Sequence, residues 1–151
     1  MAMKNEEKLT ESSLWKEANA IAEYMYGRLE EFEQTPDEKW NTERKIRNAA
    51  NDVVFFIAQA VGNFLPDAAE YDWNNARKNL FALRTMYTFA HKQKFISLDP
   101  EIVVKIDQLL ADIDTEITAA KKEIAKKTEK DMQPWLEKYR LWKEMQDTSK
   151  A

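Results

Sequence analysis

The sequence predicts an all-α protein: an antiparallel up-down-up-down four-helix bundle over residues 12–130, with a flexible N-terminus at 1–11 and a short C-terminal amphipathic helix at 131–151. Three observations carry that expectation. First, the 151-residue chain contains only two glycines and four prolines, too few breakers for a many-turned β fold. Second, apolar residues return at alternating steps of three and four through two long stretches. These are Trp73, Ala76, Leu80, Leu83, Tyr87 and Ala90, then Val103, Ile106, Leu110, Ile113, Ile117, Ala120 and Ile124, and the turn at Phe95–Asp99 makes them an antiparallel hairpin. Third, prolines and capping residues stand where helices should begin. The length suits one domain with a real core.

In chain order, Ser12 or Ser13 supplies an N-cap for a first helix ending near Glu33, with Leu14, Ala18, Ile21, Ala22, Met25, Leu29 and Phe32 on its apolar stripe. Glu17, Glu23, Glu30 and Glu31 form its solvated face. Thr35, Pro36 and Glu38 give the second helix a capping box with proline at the first position, where no N–H is missed. That helix carries Trp40, Ile46, Ala50, Val53, Val54, Ile57, Val61 and Phe64. Around Val53–Ile57 it is apolar on nearly every side, the pattern of a central helix or of one that also makes a subunit contact through Phe55 and Phe56. Leu65-Pro66 ends it, and Asp67 with Glu70 forms the next capping box. Asp99 caps the fourth helix, with Pro100 at its first position. Beyond Ala125 the repeat lapses into charged residues, and Met132, Trp135, Leu136, Tyr139 and Trp142 then mark the tail helix, which either continues through Pro134 or starts afresh near Asp131. So aromatic a tail should pack on the bundle, on another subunit or on a partner.

Composition restricts the chemistry. There is no cysteine and a single histidine, His91, with Thr88 three residues before it, so thiolate sites, His-rich zinc sites, the Glu-x-x-His pairs of di-iron bundles and a Ser-His-Asp triad are not expected. No catalytic motif is present, and the expectation is a non-enzymatic protein with no cofactor. The N-terminus lacks the apolar core of a signal peptide and no apolar run reaches ~20 residues, so a cytoplasmic protein with no membrane partner is expected. The net charge of −4 argues mildly against binding nucleic acid by counterion release alone.

Local basic clusters nevertheless stand out. Arg44, Lys45 and Arg47 lie together on the second helix, and Lys121, Lys122, Lys126, Lys127 and Lys130 gather late in the fourth, where cations also favour the helix dipole. With Arg77 and Lys78 these are the candidate nucleic-acid contacts. Arg77, Arg84 and His91 follow one line beside the hairpin seam, and the spacing pairs Arg84 with Asp114 and His91 with Asp107, leaving Arg77 freer to meet an acidic partner. Phe55, Phe56, Trp135, Tyr139 and Trp142 are the candidate partner or oligomer contacts.

Three segments carry a family resemblance: Ile46-Arg47-Asn48-Ala49-Ala50-Asn51-Asp52-Val53, Ala76-Arg77-Lys78-Asn79-Leu80-Phe81-Ala82-Leu83-Arg84, and Phe89-Ala90-His91-Lys92-Gln93-Lys94-Phe95-Ile96-Ser97. Over residues 13–124 the chain resembles the small four-helix-bundle family that includes proteins encoded in intervening sequences of large-subunit ribosomal RNA genes and the accessory variability determinant (Avd) of diversity-generating retroelements. The resemblance implies an up-down-up-down bundle, a ring-like homo-oligomer (pentamers are typical), and, for the Avd branch, a non-catalytic partner of a reverse transcriptase that touches RNA through basic surface. The chain departs from the family at Phe56-Ile57-Ala58-Gln59-Ala60, where many members carry an Asn-Ile-Ala-Glu-Gly-like segment, and in being acidic where Avd-type proteins are basic. The reading is therefore an oligomeric accessory scaffold for a nucleic-acid-processing partner. Its alternatives are a direct RNA or DNA binder and a purely structural interaction module.

Overall fold

A computed structural model describes residues 8–32 and 37–150, with side chains described for 8–30 and 41–150. The protein is all-helical, and no strand occurs among the described residues. Helix α1 spans Ser13–Arg28 and passes into a 3-10 turn at Leu29–Phe32; α2 spans Asp37–Gly62, α3 Pro66–Lys92 and α4 Pro100–Ser149. Residues 8–11 add a helical turn before α1, where the sequence predicts a flexible start. Residues 1–7, Glu33, and Thr35 and Pro36 of the expected capping box lie outside the described residues, as do the side chains of Phe32, Glu38 and Trp40.

The helix starts follow local chemistry. Ser12 Oγ accepts the Trp15 N–H at 3.4 Å, and Asp99 Oδ1 accepts the Glu101 N–H at 3.0 Å ahead of Pro100. At α3 the expected Asp67–Glu70 box does not form. The helix begins two residues earlier, at Pro66, behind Leu65, which caps without a side-chain hydrogen bond. Proline needs no partner for a missing N–H, and Asn63 Oδ1 takes the Leu65 N–H at 3.3 Å instead, so the cap is unnecessary. Because α2 stops at Gly62, Phe64 leaves the helical stripe and stands 73% exposed.

Packing proceeds around a cycle: α1 on α2, α2 on α3, α3 on α4 and α4 on α1. One apolar cluster fills the centre. Ala18, Ile21, Ala22 and Met25 of α1 meet Ile46, Ala50, Val53 and Ile57 of α2, and all six predicted α3 positions from Trp73 to Ala90 are buried. In α4 the buried line is Ile102, Ile106, Leu109, Ile113 and Ile117. Val103 and Leu110, predicted at the seam, are only partly buried beside it. Ile106, Ile113 and Ile117 are common to both lines, so the buried face is offset from the predicted one by only roughly 30–40°.

The α3–α4 turn is held from three sides. Tyr87, fully buried, accepts the Asp99 N–H on its hydroxyl at 2.8 Å and shares a second hydrogen bond with the Tyr24 hydroxyl at 3.2 Å. Arg28 reaches over from α1 to the Ser97 carbonyl at 2.8 Å and the Ser97 hydroxyl at 2.6 Å. Lys94 takes a left-handed conformation (φ 61°), and the Phe95 N–H returns to the Ala90 carbonyl at 2.9 Å, closing the end of α3.

This turn sets the hairpin register, and the register corrects the predicted charge pairing. Arg84 meets Asp107, through Nε–Oδ1 at 2.6 Å and Nη2–Oδ2 at 3.2 Å, not Asp114. Asp114 is taken by Arg77, at 2.6 Å. Each arginine thus meets the aspartate one heptad nearer the turn than the spacing predicts. His91 has no aspartate to meet, and its Nδ1 lies 3.4 Å from the Ile96 carbonyl oxygen. Arg77, expected to be freer for a partner, is committed within the hairpin.

Candidate interaction surface

Helix α4 is the feature that positions the candidate surface. It runs for 50 residues without a break, about 75 Å, and passes through Pro134. The separate tail helix allowed by the sequence is therefore the distal part of α4. Its last contact with the body is the half-buried Ile124, and every residue from Ala125 to Lys150 is exposed. The final 25 helical residues form an arm about 40 Å long, packed on no other element among the described residues. Of the three places the sequence leaves open for the tail, its own bundle is not occupied among the described residues.

The arm is amphipathic. Met132, Trp135, Leu136, Tyr139 and Trp142 recur at steps of three and four, the spacing that places side chains along one helix face. They are 50, 70, 53, 59 and 56% exposed. Within the stripe Tyr139 and Trp142 lie with ring centroids 6.0 Å apart, and the Lys138 ammonium sits 5.4 Å from the Trp135 ring centroid. Local pairs such as Arg140–Glu144 at 3.9 Å lie among strongly exposed groups and contribute little. A contiguous apolar stripe of this size on a solvent-facing helix is the signature of a surface meant to be covered.

Where α4 leaves the body, an open apolar groove of about 410 Å³ runs between the N-terminal end of α1, the α2–α3 turn and α4. Leu14, Val61, Phe64, Trp73 and Ala120 line it. Phe64 stands exposed at its rim. Sequence reasoning missed this rim by extending α2 through Phe64; the signal was Gly62, followed by the Leu65-Pro66 step.

The predicted basic sites are not brought together. Arg47 is engaged by Glu43 at 2.5 Å and lies over the Tyr26 ring at 5.5 Å, leaving the α2 cluster less cationic than its sequence suggests. Arg44 and Lys45 are exposed on the same helix, and Lys78 is exposed on α3. Lys121, Lys122, Lys126, Lys127 and Lys130 are all exposed at the root of the arm. At ~100° per residue they spread over more than half its circumference, interleaved with Glu123, Glu129 and Asp131, and Lys126 approaches Glu123 at 3.8 Å. Phe55 is half-exposed and packs edge-to-face on the partly buried Phe56, with centroids 5.2 Å apart. This contact is remote in sequence from the arm and belongs to α2 alone.

Two groups are electrostatically shifted. Burial, and then the neighbouring Asp112 carboxylate, push the Glu17 carboxyl above its ordinary pKa, and Glu17 Oε2 is buried without a hydrogen-bond partner. Burial and the hydrogen bond to Tyr87 push the Tyr24 hydroxyl up to about 12. Glu17 lines an open cleft with Lys16, Lys105 and Gln108, remote from the arm. Among the described residues no three His, Asp or Glu side chains converge as metal ligands would. No helix among them is long and apolar enough to cross a membrane. Comparison with protein-family models, with curated proteins and with solved structures returns no match.

Proposed function

We propose that this chain is a non-enzymatic accessory scaffold: an up-down-up-down four-helix bundle that holds out the distal part of α4 as an arm for assembly. The observation that carries the reading is the apolar stripe of Met132, Trp135, Leu136, Tyr139 and Trp142, more than half exposed on average along the distal part of α4, which packs on no other element among the described residues. The cyclic packing of four helices about one core fits the bundle expectation. On the strength of the sequence resemblance, the partner served is a nucleic-acid-processing enzyme of the reverse-transcriptase kind, and the body assembles as a ring.

Direct nucleic-acid binding is the weaker alternative, because Arg47 and Arg77 are engaged by carboxylates and the arm lysines are scattered among acids. Fluorescence anisotropy with a generic single-stranded RNA separates the two readings. A binder using six or more of the ten basic candidates would lose roughly 10³-fold in affinity between 50 and 200 mM salt. The scaffold reading expects weak association with a shallow salt slope. It also expects that an enzyme encoded beside this gene binds the full chain, and that Trp135→Glu with Trp142→Glu abolishes the complex. Tight, steeply salt-dependent RNA binding, or an enzyme complex indifferent to those substitutions, would overturn it.

A further inference from the structure

The stripe on the α4 arm is complementary to itself. Written as heptads, Met132 and Tyr139 occupy one seam position and Trp135 and Trp142 the other. If a second copy is laid antiparallel with its two-fold axis near Glu137, Met132 faces Trp142 of the second copy. Trp135 faces Tyr139 of the second copy, and Leu136 lies beside the axis. Every large member of the stripe then has an apolar counterpart, as an isologous interface requires. On the flanks, Glu129 comes opposite Lys143 of the second copy, twice by symmetry. Lys138 would meet its own counterpart across the axis, but its ammonium is already drawn over the Trp135 ring of its own helix. The parallel arrangement is poorer, since it sets Lys138 against Lys143 of the second copy and stacks tryptophan on tryptophan.

Area supports the same occupant. At their observed exposures the three aromatic side chains alone leave roughly 400 Å² in water, and Met132 and Leu136 raise the stripe to roughly 600 Å². Complete burial of both stripes would remove at most roughly 1,200 Å² from water, the lower bound for a specific, stable interface. In this register the C-terminal end of the second copy's helix also reaches Ile124, the half-buried residue at the root of the arm. We infer that residues 129–145 of α4 form an antiparallel two-fold pairing with the same segment of a second copy of this chain. This deepens the scaffold reading by naming what covers the arm, and rests on it only for the premise that the arm is an assembly surface.

The test uses the full chain. Sedimentation equilibrium at tens of micromolar should give a wild-type mass twice that of the Trp135→Glu/Trp142→Glu variant, whose self-association weakens at least about a hundredfold. Helical body stability should be unchanged, because both residues are exposed. Orientation is read separately. The chain has no native cysteine, so a short bismaleimide added to a mixture of Glu129→Cys and Lys143→Cys chains should join the unlike chains in preference to like ones. Equal masses for wild type and variant, or preferential joining of like chains, would overturn the pairing. If the masses are equal but the tryptophan substitutions still abolish binding of a partner enzyme, the pairing fails and the scaffold reading survives. A dimer combined with steeply salt-dependent RNA binding gives the opposite result.

Discussion

The hairpin register can be measured by moving charge across it. Arg84 holds Asp107 with two hydrogen bonds, 2.6 and 3.2 Å, and the Asp107 contact raises the guanidinium pKa. Both side chains are about 40% exposed, so solvent screening keeps the pair in the exposed class, at ~0.5–1 kcal/mol given its two-point geometry. Arg84→Glu removes that attraction and sets two carboxylates together, for a loss of about 1 kcal/mol, and Asp107→Arg should cost a similar amount. The double reversal Arg84→Glu/Asp107→Arg should recover most of both losses, a coupling of about 1.5–2 kcal/mol, or roughly 3–8 °C in melting temperature for a chain of this size. Combining Arg84→Glu with Asp114→Arg should instead be additive within ~0.5 kcal/mol, since Asp114 serves Arg77. Urea denaturation with unchanged m-values measures all four changes, and the coupling should shrink in high salt. Coupling between 84 and 114, with none between 84 and 107, would mean that the hairpin is shifted by a heptad and that the turn does not set its register.

Tyr87→Phe should destabilise the protein by about 1–2 kcal/mol, because the Asp99 N–H at the start of α4 and the Tyr24 hydroxyl both lose their partner; Tyr24→Phe should cost less, since the Tyr87–Asp99 bond remains. Equal losses in urea titrations would show that the backbone contact contributes nothing. Glu17 is raised above 4.5 by burial and by Asp112, so the folded state binds its proton more tightly than the unfolded state does. That contribution is fully present below about pH 4.5 and is lost as pH rises through the folded pKa. Glu17→Gln should therefore be more stable than wild type at pH 7, with the difference shrinking as pH falls; a variant less stable at pH 7 would refute the assignment.

Much of the body was legible because each of its signals has one structural meaning. The α3 stripe from Trp73 to Ala90 is buried at all six predicted positions, and Ser12 and Asp99 cap as their chemistry requires. The failures arise where two local signals compete. At α3 a proline and an acidic capping pair both offered a start, and proline prevailed because it leaves no N–H to satisfy. In the hairpin, a seven-residue spacing is equally consistent with two registers. What selects one is the length of the turn and the Tyr87–Asp99 bond, a contact twelve residues apart that periodicity does not encode. The basic candidates were visible as letters, but whether Arg47 or Arg77 is available depends on where Glu43 and Asp114 fall in space.

The arm illustrates the same competition with greater functional weight. Pro134 suggests a break because it lacks an N–H and crowds the carbonyl of Lys130, at ~3 kcal/mol in a helix interior. That cost assumes the freed carbonyl goes unsatisfied. Lys130 is exposed on a helix surrounded by solvent, where water can take the lost donor's place, and α4 continues. Continuity then fixes direction. Eighteen residues make about five turns, so Trp135 projects on the side on which α4 buries Ile117, and Trp142 on the side of Ile124. The two tryptophans of the arm thus continue the seam that α4 uses inside the body, carried past the last helix able to cover it.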